Sequence, residues 1–259
     1  MKKLVTTIVL LAGAASVYSQ GQVNYTDYNP GATTGFNIHI WSPQTATPVT
    51  ETTGNSTTPF TTTPSGLAGD APTGSASPGY TGTMIGGAGT AGSGTLSYTD
   101  GDSFNVELYY AAGNTVATGF SSLAPLASTL GTLADSGFGP GYAGMYFPSG
   151  SGLATIPGVA AAGTATFAIA AWFNGGGTYA TLAAAQGSGG VAPWGTSPLG
   201  AETIGGGNIA PPLLPGLGNP GNVAGGITSF SLVSVPEPST IALGVIGASA
   251  FLMRLRRKQ

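Results

Sequence analysis

The feature that most constrains this chain is where its cations stand. Lys2, Lys3, Arg254, Arg256, Arg257 and Lys258 are its only Lys and Arg residues, and all six lie towards its two ends. Between Leu4 and Met253 there is neither, whereas all 9 Asp and Glu fall inside that stretch. The formal charge is −3 for the whole sequence and about −9 for the interior (0 − 9). Such a body can form no Lys or Arg salt bridge, so the mutual repulsion of its carboxylates is relieved only by protonation. It also cannot clamp phosphates, which excludes nucleic acid as a partner. Charged partners should be cationic, or bridged by metal ions.

Cysteine is absent as well. That removes disulfides, thiol nucleophiles, iron–sulfur clusters and thiolate zinc sites from consideration, and leaves stability to a packed core. The interior, roughly 215 residues, is long enough for one sizeable domain. With 45 Gly and 19 Pro the burial per residue should be modest, and without a Gly-X-Y period collagen is ruled out.

The two ends have a definite chemical order. Residues 1–19 read as a secretory signal peptide: Lys2 and Lys3 supply the positive start, residues 4–15 the apolar run, and Val17-Tyr18-Ser19 the compact site that a signal peptidase reads. Cleavage is expected between Ser19 and Gln20. At the other end, Pro236 and Pro238 hold the chain extended, and Ser239 and Thr240 can cap a helix that starts after them. The apolar residues 240–253 should then form a short transmembrane helix of about 21 Å, against a hydrocarbon core of about 30 Å. Its span relies on flanking residues and some bilayer thinning. Arg254, Arg256, Arg257 and Lys258 should stay on the cytoplasmic side as a basic anchor.

Val235-Pro236-Glu237-Pro238-Ser239, a short apolar helix and a basic end together resemble the PEP-CTERM sorting signal. That signal is found on exported proteins of bacteria that also make exopolysaccharide. The resemblance covers about the last tenth of the chain. It implies recognition by an exosortase, transient anchoring in the membrane, processing near the tripeptide, and release to the cell surface or extracellular matrix. It implies no fold or activity for the body.

Hydrophobic patterning in residues 20–234 predicts an all-β domain, a single β-sandwich or jelly-roll-like body with long Gly/Pro/Thr-rich loops. Strands are expected at 22–26, at 36–41, near 143–147, at 164–173 with Phe167, Ile169, Ala171 and Phe173 on one face, and at 227–233. Asp100-Gly101, between the alternation of Leu96 and Tyr98 and that of Phe104, Val106, Leu108 and Tyr110, predicts a hairpin. Residues 122–133 should be a short helix or irregular, and the Ala-rich 179–186 about two helical turns. Residues 42–66 read as a low-complexity Thr/Ser/Pro loop, and 187–226 as a Gly/Pro-rich connector.

Chemistry-bearing residues are sparse. His39 is the only histidine, and its place on an alternating strand suits a structural role. Asp27, Glu51, Asp70, Asp100, Asp102, Glu107, Asp135 and Glu202 show no pairing pattern of the glycosidase kind. Asp100 and Asp102 suit a hairpin turn with solvated carboxylates, or a contribution to a calcium site. Trp41, Trp172 and Trp194 suit a core, or a platform that stacks on sugar rings. No catalytic residue, cofactor or metal ligand is assigned. The expected function is that of a structural, non-enzymatic surface or matrix protein associated with exopolysaccharide or biofilm. The alternative is a carbohydrate-binding module or lectin-like protein, which a concave aromatic and acidic patch would favour.

Overall fold

The computed structural model describes residues 20–25, 40–43, 53–54, 85–86, 95–133, 144, 146, 152–206, 222–227 and 229–233. The signal peptide with Ser19, the segment carrying His39, and the sorting signal at 235–259 with its helix and basic cluster all lie outside the described residues. Among the described residues no helix is long and apolar enough to cross a membrane. In chain order the strands are β1 (Gln20–Asn24), β2 (Ile40–Trp41), β3 (Thr53–Gly54), β4 (Phe104–Ala112), β5 (Ala124–Pro125) and β6 (Gly131–Thr132). They continue as β7 (Leu153–Ala160), β8 (Thr164–Phe173), β9 (Trp194–Thr196), β10 (Gly200–Thr203), β11 (Asn222–Gly225) and β12 (Ser229–Ser231). Among the described residues one α-helix, α1 (Leu182–Gln186), stands between β8 and β9. The described body is all-β.

β4 and β8 form the spine. They pair antiparallel over nine residues each, from Phe104 opposite Phe173 to Ala112 opposite Ala165. Because paired residues share a face and neighbours alternate, this register sorts the side chains into two sets. One face carries Phe104, Val106 and Leu108 with Phe167, Ile169, Ala171 and Phe173. The other carries Asn105, Glu107 and Tyr109 with Ala168, Ala170 and Trp172. Both faces are covered, and β8 is buried from Ala165 through Phe173. Trp172, Phe104, Phe167, Ile40, Ile85 and Phe230 are among the largest fully buried side chains. Each contributes about 1.5–3 kcal/mol relative to exposure. The small Ala168 and Ala170 stand directly across from Tyr109 and Glu107.

Around the spine runs a seven-stranded sheet in the order β11-β10-β8-β4-β5, with β6 also on β4 and β9 also on β8. β1 pairs with β7, and β12 pairs with β2 and β3. Backbone bridges tie these pieces together. Gln22 and Gly205 exchange two hydrogen bonds of 2.9 Å, joining β1 to the chain just after β10. Gly21 makes that approach possible, because a Cβ there would stand 2.1 Å from the Ile204 side chain. Trp194 and Val233 exchange another pair, joining β9 to the chain after β12.

The expected strand at 164–173 matches β8, and the strand beginning at Phe104 is β4. The Asp100-Gly101 hairpin does not form. Residues 96–98 are not a strand, Leu96 is 41% exposed, and Asp100-Gly101 leads into a single 3-10 turn, Gly101–Ser103. Asp100 Oδ2 accepts a 2.7 Å hydrogen bond from Ser103 Oγ, and the edge of β4 that a hairpin would occupy pairs with β8 and with β5 and β6. Two segments expected as loops also contribute strands. β3 lies within 42–66, and β9, β10 and β11 lie within 187–226. Backbone pairing with β8 and β12 needs no apolar alternation, so small residues serve. β7 has no counterpart in the expectations; Pro157 and Gly158 (φ +74°) interrupt its pattern where its register with β1 shifts.

Candidate functional site

Glu107 and Tyr109 of β4 line a cleft of about 700 Å³ on the second face of the sheet. Three pieces of chain wall it. The first follows β4, where the 3-10 turn Phe120–Ser122 leads into β5, placing Phe120, Leu123 and Pro125 at the cleft. Tyr109 lies opposite Pro125 in the β4–β5 pair, and its ring stands 4.8 Å from that of Phe120, centre to centre.

The second wall is the turn Ala127–Thr129, which brings Ala127 and Leu130 to the cleft. Thr129 fastens this turn to β4. Its Oγ1 accepts a hydrogen bond from the Leu108 N–H (2.9 Å) and donates one to the Leu126 carbonyl (2.7 Å), while Tyr146 donates to the Thr129 carbonyl. Leu130 is 47% exposed and forms the rim. α1 makes the third wall through Thr181, Leu182, Ala183 and Gln186. Thr181 caps the helix by accepting from the Ala184 N–H, and Trp172 Nε1 donates to the Tyr179 carbonyl (2.8 Å), which fixes the approach to α1.

Glu107 is only 7% exposed. Tyr109 stands two residues along β4 on the same face, where its hydroxyl serves as the donor that favours the charged carboxylate. Burial pushes the Glu107 carboxyl above its ordinary value, and the Tyr109 bond works against that shift. Tyr109 is pushed up to about 12, first by burial, then by the Glu107 charge and by their hydrogen bond. Near neutral pH the phenol therefore keeps its proton and remains a donor. No Lys or Arg stands anywhere between Leu4 and Met253 to neutralise this pair.

The other residues singled out in the sequence are not gathered at one place. Trp172 is fully buried, Trp194 is half-buried against the core, and Trp41 is half-buried in β2, so the tryptophans build no shared exposed platform among the described residues. Asp100 turns inward to Ser103, whereas Asp102 Oδ1 accepts from Thr132 Oγ1 at 3.2 Å. Among the described residues no group of three or more His, Asp or Glu is placed to hold a metal ion. Glu202 of β10 is fully buried with neither carboxylate oxygen hydrogen-bonded among the described residues, and burial raises its pKa to about 7. Asp27, Glu51, Asp70 and Asp135 lie outside the described residues.

Sequence reasoning named Glu107 only as one carboxylate among eight, and missed Tyr109, Phe120 and the α1 wall. The available signal was a Glu two residues before a Tyr inside an apolar alternation, which puts both on the strand's second face. Gln20, the expected first residue after cleavage, begins β1 opposite Ala160. No protein-family model, curated protein or solved structure matches this chain.

Proposed function

We propose that this is an exported protein with a structural, non-enzymatic role at the cell surface or in an extracellular matrix associated with exopolysaccharide or biofilm. Signal peptidase removes residues 1–19 between Ser19 and Gln20. The C-terminal helix then holds the body at the membrane, with Arg254, Arg256, Arg257 and Lys258 on the cytoplasmic side. An exosortase recognises Val235-Pro236-Glu237-Pro238-Ser239 and releases the body outward. Residues 20–234 form one sandwich-like or jelly-roll-like domain, a reading supported by the burial of β8 on both faces.

The observation that carries this reading is the tail itself: a Pro-Glu-Pro tripeptide, an apolar run and a basic cluster in that order, after an interior without a single Lys or Arg. Intact-mass measurement on material from the native host tests it. The mature protein should begin at Gln20 and lack Arg254–Gln259. A mature protein that still carries the basic cluster would overturn the transient-anchor reading.

A carbohydrate-binding module is the second reading. The observation that favours it is the concave patch where Glu107 meets the rings of Tyr109 and Phe120. Binding of a defined glycan, weakened by Phe120→Ala, would support it; no binding across a broad glycan panel would remove it.

A further inference from the structure

We propose that the Glu107 cleft binds a small organic cation, a primary or quaternary ammonium carried on an apolar body about the size of an aromatic ring. The inference stands on the cleft alone and does not depend on how the chain is exported.

Charge is the first argument. Glu107 is more than nine-tenths buried, and the interior of the chain offers no Lys or Arg as a counter-ion. A buried carboxylate in that position is stabilised by a proton or by a cation brought from outside. Among the described residues Tyr109 is the other titratable group lining the cleft, and it meets Glu107 as a neutral donor. It satisfies part of the carboxylate without neutralising it. An anionic ligand, whether carboxylate or phosphate, would face Glu107 with nothing to compensate.

Wall chemistry is the second argument. Phe120, Leu123, Pro125, Leu130 and Leu182 give the cleft a mainly apolar surface, against which Glu107 supplies the one carboxylate of its lining. A sugar could stack on the rings of Tyr109 and Phe120, but its hydroxyls facing the aliphatic walls would lack partners, so these walls favour an ammonium on an apolar body. An ammonium on an apolar body divides its chemistry as the cleft does. Its charged end meets Glu107 and the faces of Tyr109 and Phe120, whose rings attract cations, and its body lies against the leucines and Pro125. The volume, about 700 Å³, lies in the range usual for small-molecule sites.

The structure also says how such a ligand would be held. Glu107 and Tyr109 are fixed by the pairing of β4 with β8, and the Thr129 clamp on Leu108 and Leu126 fixes the wall that bears Leu130. The site is built on paired strands and braced turns, so little ordering is needed on binding.

Binding to the full-length chain in lipid nanodiscs, with empty nanodiscs as the control, tests this. The probes are phenethylamine, its neutral analogue 2-phenylethanol, the anion phenylacetate, and cellobiose. At about pH 8 phenethylamine should bind roughly tenfold or more tighter than 2-phenylethanol, with phenylacetate weakest of the three. Glu107→Gln should bring the amine down to the alcohol's affinity and leave the alcohol unchanged. Leu130→Trp at the rim, which keeps the carboxylate, should weaken amine and alcohol together by roughly fivefold or more, and it carries the test if Glu107→Gln fails to fold. Equal affinities for amine and alcohol, a preference that survives Glu107→Gln, or cellobiose binding without amine binding would each overturn the proposal.

Discussion

Among the described residues the two faces of the seven-stranded sheet each bury one glutamate, and they surround it differently. Glu202 pairs with Ala165 and so shares the face of Phe167, Ile169 and Phe173, all of them buried. There it has no hydrogen-bond partner among the described residues, and burial alone lifts it to about 7. Glu107 lies on the opposite face, with a tyrosine donor and an open cleft beside it. In a body without Lys or Arg neither carboxylate can be met by an ion pair. Position on the pleat therefore decides the outcome: one glutamate is sealed and relieved only by a proton, while the other remains reachable from solution.

The sealed side should show the larger effect. A carboxyl whose pKa is raised on folding adds stability below its unfolded value, and that stability is lost as pH rises through the folded value. For Glu202 the window runs from about 4.5 up to about 7. Glu202→Gln should therefore make the protein more stable than wild type by about 1–3 kcal/mol at alkaline pH, a gap that closes on acidification through that window. Thermal melts of both forms across the window check this, and a constant gap between them would break the comparison.

The cleft side should respond more weakly. Tyr109→Phe removes the donor hydroxyl that distinguishes the surroundings of Glu107 from those of Glu202. It should cost about 1 kcal/mol and lift the Glu107 carboxyl further, since that donor holds it down. Denaturant unfolding and a pH titration of the variant would show both. An unchanged titration would mean that the phenol does not govern Glu107.

How much of this was legible in the sequence follows from how local each signal is. Thr164–Phe173 announced itself because a long β-branched and aromatic run with a Gly-rich stop needs no partner to be recognised. The Asp100-Gly101 turn misled because the pairing of β4 is set by β8, more than fifty residues further on, and not by its neighbours. β7 was hidden by Pro157-Gly158, and β9, β10 and β11 by small residues whose strand character comes from the edges they join. The scarcity of cations could be read at once, and it made every buried carboxylate significant. Which carboxylate would be sealed and which reachable required the register, because one residue of shift exchanges the two faces.

Carboxyl carbon titration by NMR, with glutamate labelled and assigned through Glu107→Gln and Glu202→Gln, tests the contrast between the two faces most directly. The Glu202 signal should titrate at about 7 and the Glu107 signal above the ordinary 4.5. Added phenethylamine should move the Glu107 signal and leave that of Glu202 in place. Titration of both groups in the ordinary carboxyl range, or an equal response of both to the amine, would contradict the account.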